Sequence, residues 1–118
     1  MNPDKLKDKF IDCTLVTHVG DSLGMPVEGY DCKTIEMKYG ELRGMLDVRM
    51  GAGTYTDDTE MMIGIAESLV QCRRFNGRDM AGRFVKLYNP ERGYGGGTVK
   101  ALSLLREGME HDMLQIDD

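Results

Sequence analysis

Met61, Met62, Ile65, Ala66, Leu69 and Val70 recur at three- and four-residue spacing, the period that gathers apolar side chains on one broad face of an α-helix. The run predicts a long helix from about Asp57 or Asp58 to Arg74. It also sets the fold class, because no stretch of useful length alternates apolar and polar residues as a half-buried strand must. The chain reads as all-α. Asn2-Pro3 starts a first helix, with Asn2 as N-cap. Leu6, Phe10, Cys13 and Thr17 form its stripe, Ile11, Leu15 and Val19 widen it, and Gly20 is where it loosens or ends, with His18 in the last turn. Residues 31–39 predict a short helix capped by Gly40. Gly77 closes the segment after the long helix, and Asp79 reads as the N-cap of another, with Met80, Phe84 and Leu87 inward and Asn89-Pro90 as its stop. Val99, Leu102, Leu105 and Arg106 predict a last helix ending at Gly108, followed by an acidic tail, residues 109–118, without periodicity.

A chain of 118 residues, 41% hydrophobic and 30% charged, fits one small soluble domain or part of a larger one. Its formal net charge is −5 and its Lys and Arg residues are scattered, which argues against nucleic acid as a direct partner, since phosphate binding needs a continuous positive footprint. Cys13, Cys32 and Cys72 are odd in number and form no C-x-x-C pair. Together with the lack of a leader pattern they point to a reduced, cytoplasmic chain with small buried thiols. No apolar run has the length of a membrane span.

The chemistry concentrates in Thr54-Tyr55-Thr56-Asp57-Asp58-Thr59-Glu60, directly before the long helical pattern. Capping accounts for part of it: Thr or Asp at an N-cap accepts backbone N–H bonds, and Asp57 with Glu60 approximates a capping-box spacing. The alternative is a site for hard cations, because hydroxyl and carboxylate oxygens are what Mg²⁺, Mn²⁺ and Ca²⁺ take. Each such ion wants about six oxygens, so Thr56, Asp57 and Asp58 supply only part of a site. Two further stretches resist regular structure. Residues 20–29 hold three glycines and a proline beside Asp21 and Glu28, and read largely as a shaped loop. Residues 92–98, R-G-Y-G-G-G-T, feed the last helix with a glycine-rich loop whose backbone N–H groups suit a phosphate.

Three segments resemble the ADP-ribosylglycohydrolases, in that family's order. G-D-S-L-G-M-P-V-E (residues 20–28) is similar to its first glycine–aspartate motif, Y-T-D-D-T-E-M (residues 55–61) to its metal-binding signature, and R-G-Y-G-G-G-T to its substrate loop. The resemblance implies a compact all-α globule, of which residues 1–118 would be the N-terminal portion of a single domain. It implies a metal-dependent hydrolase that removes ADP-ribose by cleaving the ribose C1″ bond on modified proteins or related conjugates. Thr56, Asp57 and Asp58 would be metal ligands in a two-metal Mg²⁺ or Mn²⁺ site. Glu28 would be the general base or orienter, with Asp58 beside it in the catalytic set. Asp21, Gly93, Tyr94, Gly95 and Gly96 would support the site and hold ADP-ribose.

The family's second D-x-D-T/S motif has no counterpart here, and Asp117-Asp118 lacks its spacing and hydroxyl. That leaves a second reading, a non-catalytic helical module that binds ADP-ribose or a partner. It also predicts uncovered apolar surface on the long helix and the last helix, and hence self-association or a complementary C-terminal segment.

Overall fold

The computed structural model describes residues 2–114. Five helices make up its regular structure: α1 (Pro3–Gly24), α2 (Cys32–Tyr39), α3 (Asp57–Cys72), α4 (Gly77–Leu87) and α5 (Gly96–Leu114). No strand occurs among the described residues, so the all-α expectation holds. Short 3₁₀ turns at Met25–Val27 and Pro90–Arg92 follow α1 and α4. The chain forms two compact units, residues 1–59 and 60–118, divided within the first turn of α3.

In the first unit α1 starts as expected: Asn2 accepts the amide of Asp4 at 2.9 Å, with proline in the first turn. It does not end at Gly20. The helix continues through Asp21 and Ser22 to Gly24, so the first half of the expected loop is helical and His18 lies well before the last turn. A helical glycine costs only about 1 kcal/mol. Here tertiary bonds outweigh that cost, because Asp21 and Ser22 both engage the chain that leads into α3. Met25 and Pro26 then turn inward and are buried. α2 is capped by Asp31, which accepts the amide of Thr34 at 2.8 Å, and closes at Gly40 with φ +62°. Residues 41–56 form an irregular connection, bending at Arg49, Gly51 and Gly53, all with positive φ.

In the second unit α3 ends at Cys72, two residues short of the expectation, because Arg73 adopts a left-handed φ of 53°. α4 begins at Gly77, capped by Asn76 rather than Asp79; the Asn76 carboxamide oxygen accepts the Asp79 amide at 3.1 Å. Asp79 instead binds the Arg83 guanidinium at 2.7 Å, which holds its carboxyl below the usual range. Gly64 of α3 lets α4 approach closely: a Cβ there would stand 3.1 Å from the Phe84 ring, which would have to give by a few tenths of an ångström. α5 passes through Gly108 to Leu114, so the first part of the expected tail is helical. Asp117-Asp118 lies outside the described residues.

Leu102 is the buried apolar residue of this second unit. Uncovered apolar surface appears where expected, at Ile65, Leu69 and Val70 on α3 and Leu104 and Leu105 on α5. It also appears along α1, which the sequence pattern did not single out. Cys13 and Cys32 are exposed and Cys72 half-buried, contrary to the expected buried thiols. Cys13 shares the uncovered α1 surface, so its stripe is apolar without being covered.

Candidate functional site

The site grows from one carboxylate. Asp21, near the end of α1, accepts four hydrogen bonds from the start of α3: Thr56 N at 2.9 Å, Thr56 Oγ1 at 2.5 Å, Thr59 N at 3.1 Å and Thr59 Oγ1 at 2.6 Å. Thr56 immediately precedes the first helical residue and Thr59 stands three positions later. Those are the two amides that a capping box satisfies from within its own helix. Here one side chain from a different helix satisfies both. The expected pairing of Asp57 with Glu60 does not form; buried Glu60 instead accepts the Asn89 amide at 3.3 Å within the second unit.

Burial raises the Asp21 carboxyl, but its hydrogen bonds to Thr56 and Thr59 outweigh that effect and hold it below the ordinary value of 3.8. Both threonines are 3% exposed, so their polar groups have little water to turn to. Ser22 reinforces the junction, its hydroxyl donating to the Thr54 carbonyl at 2.8 Å. The His18 ring meets the edge of Tyr55 at 6.1 Å between centroids.

With the cap supplied by Asp21, Asp57 and Asp58 are released from that task. Neither carboxylate makes a hydrogen bond or ion pair among the described residues. Burial raises the Asp58 carboxyl above 3.8, and the charges of Asp57 and Asp21 raise it further. Thr56 spends its proton on Asp21, which leaves its oxygen lone pairs available as acceptors.

A cleft of about 270 Å³ joins these groups, lined by Gly20, Asp21, Gly24, Met25, Val27, Glu28, Thr56 and Asp58. It therefore brings together Asp21, Glu28, Thr56 and Asp58, while Asp57 stands next to it without lining it. Glu28 is an exposed residue of this lining, 3.9 Å from the Arg49 guanidinium. Arg49 also donates to the Met25 carbonyl at 3.3 Å. Among the described residues, no three His, Cys, Asp or Glu side chains converge as a metal-binding group.

The glycine loop belongs to the second unit. Gly93 takes φ +85° and closes the turn Pro90–Arg92, while the Tyr94 ring meets Tyr88 edge-on at 4.9 Å. The Gly95 carbonyl accepts the Val99 amide at 3.0 Å and so opens α5. Nothing lies within 4 Å of where a Cβ would stand on Gly95, Gly96 or Gly97, and none has a positive φ. Among the described residues no contact calls for glycine at these three positions.

Ser22, Thr59 and Arg49 were missed as contributors. Thr59 carried a usable signal in its three-residue spacing from Thr56; Ser22 and Arg49 carried none, because their partners lie 32 and 24 residues away.

A sequence profile of the ADP-ribosylglycohydrolases matches residues 2–116. An uncharacterized protein of Archaeoglobus fulgidus is 39% identical over 109 residues, covering 88% of this chain and 36% of its own length. ADP-ribosylhydrolase ARH3 of Danio rerio is 34% identical over 117 residues, 96% of this chain and 32% of the relative. The Homo sapiens protein of the same name is 32% identical over 109 residues, 82% and 29% respectively. The chain spans about a third of the length of the curated relatives it matches. No solved structure matches it.

Proposed function

The chain belongs to the ADP-ribosylglycohydrolase family, and from that premise we propose that its acidic cleft serves hydrolytic removal of ADP-ribose, at the ribose C1″ bond, from modified proteins or related conjugates. The observation that carries this reading is the transfer of capping to Asp21. Capping would have been a sufficient reason for acidic residues at the start of α3. Once Asp21 does that work, the adjacent Asp57 and Asp58 carboxylates need another explanation, and Asp58 is held in its charged form only against burial and two neighbouring charges.

A hard divalent cation fits that donor set in chemistry and in charge. Thr56, Asp57 and Asp58 would hold Mg²⁺ or Mn²⁺, with remaining ligands from water or from other chain. Bound there, the ion would supply Lewis acidity toward the ribose hydroxyls and a water. Asp21 fixes the orientation of Thr56 and of the first turn of α3. Glu28 orients water or accepts its proton, as glycosidic cleavage through an oxocarbenium-like state requires. In the second unit the first amides of α5 have no intrahelical acceptor. Gly95 and Gly96 leave the backbone open to a diphosphate, with Gly93 shaping the turn and Tyr94 flanking it.

The test is calorimetry of the chain with Mn²⁺ and ADP-ribose, alongside Asp57→Asn and Asp58→Asn. Saturable binding lost in both variants supports the reading; equal binding by the variants rejects it. The partial donor set also favours a second reading, ADP-ribose binding without turnover. Binding with no release of ADP-ribose from a modified protein would select it.

A further inference from the structure

Arg49 holds a backbone conformation that its side chain makes costly. Its φ is +54°, at the second position of a turn closed by the Gly51 amide donating to the Val48 carbonyl at 3.1 Å. Glycine is the residue that fits such a position without strain. Strain of this kind persists only where the surroundings hold it, and the observed outlier is then a pointer to use. The surroundings here are the mouth of the cleft. The Arg49 guanidinium donates to the carbonyl of buried Met25 at 3.3 Å, and the same nitrogen stands 3.9 Å from a Glu28 carboxylate oxygen. Met25 and Glu28 both line the cleft.

Glu28 is a side chain in need of such a partner. It follows the Met25–Val27 turn and precedes Gly29, whose φ is +80°, so its backbone is set while its side chain is 65% exposed. A glutamate in water spreads over many rotamers, and the Asp21 and Asp58 carboxylates of the same cleft repel it. We propose that Arg49 is a positioning residue: its guanidinium, fixed on the Met25 carbonyl, keeps the Glu28 carboxylate turned to the cleft, where it orients water or accepts its proton. That task of Glu28 rests on the hydrolytic reading of the cleft. Arg49 itself touches no reacting atom and acts through Glu28. An exposed pair of this kind shifts a rotamer population by about two- to fivefold. That is enough to bias one side chain and too little to hold the fold.

The test follows the Glu28 side chain by nuclear magnetic resonance, through the three-bond Hα–Hβ couplings that report its χ1 rotamers. The unaltered chain is compared with Arg49→Gln and Arg49→Lys, with urea denaturation alongside. One Glu28 rotamer should predominate in the unaltered chain. Arg49→Gln should lower its ratio to the others by about two- to fivefold, with the denaturation midpoint moving no more than for an ordinary surface change. Arg49→Lys keeps the charge and should restore part of the bias. Four results overturn the proposal: Glu28 already averaged in the unaltered chain, couplings unmoved by Arg49→Gln, no restoration by Arg49→Lys, or averaging that comes only with a fallen midpoint. Mn²⁺ binding by Asp57→Asn tests the cleft reading without passing through Arg49, so the two can fail separately.

Discussion

Two helix starts in this chain solve the same electrostatic problem in opposite ways. Each leaves backbone N–H groups without intrahelical acceptors and a partial positive charge. At α3 the need is met internally, by the Asp21 carboxylate accepting the Thr56 and Thr59 amides. What remains exposed there is oxygen, from Asp57, Asp58 and the Thr56 lone pairs, and oxygen attracts cations. At α5 the residue before the helix is Gly95, which has no side chain to cap with, and Gly95, Gly96 and Gly97 keep the approach to the backbone open. What remains exposed there is N–H, which attracts anions. The lesson is that the bound charge depends less on being a helix start than on what already fills it.

The contrast can be broken first at Asp21. Asp21→Asn puts an amide N–H₂ where Thr56 and Thr59 need an acceptor, and should cost about 2–3 kcal/mol in urea denaturation. A loss below about 0.5 kcal/mol, the range of an ordinary surface change, would mean the α3 start does not depend on that cap. Next in size, Asp57→Asn should weaken Mn²⁺ binding by tenfold or more, about 1.4 kcal/mol, with the unfolding midpoint unchanged. A midpoint that falls with it would return Asp57 to a capping role. At the other start, Gly96→Ala should raise stability by about 0.5 kcal/mol, because its Cβ meets open space, while ADP-ribose affinity falls. Unchanged affinity in calorimetry would remove α5 from the binding reading.

The smallest effect is with pH. Asp21 titrates below 3.8 in the folded chain, so its stabilisation is present above that ordinary value and is lost as pH falls through the depressed one. Asp58 has the opposite sign. Its raised value makes its charge a cost at neutral pH, a cost relieved as pH falls from the folded value toward 3.8. In acid titrations followed by circular dichroism, Asp21→Asn should flatten the loss of stability below 3.8. Asp58→Asn should remove the gain that precedes it.

Much of the fold was legible because it is local. The three- and four-residue spacing of Met61 through Val70 requires no partner to be read, and the caps at Asn2 and Asp31 act on amides two and three residues away. The misreadings share the opposite cause. Gly20 reads as a place for a helix to loosen or end because glycine weakens helices, yet the next two residues are bound to chain more than thirty positions on. Gly108 misled in the same way within α5. Asp79 satisfied every local rule for a cap, and lost the place to Asn76 because Arg83 engages its carboxylate. Within the candidate site, residue types were readable and their division of labour was not.

By itself the sequence determined the all-α class, the family, and the concentration of hydroxyl and carboxylate groups before α3, since composition and short-range periodicity are properties of neighbours along the chain. Tertiary structure alone decided that Asp21 caps, that Asp57 and Asp58 are thereby released, that Glu60 anchors Asn89 instead, and that Leu6, Phe10, Leu15 and Val16 of α1 stand exposed. Hydrogen bonds and burial depend on which distant segments meet, and a carboxylate's role is set by the donors that reach it.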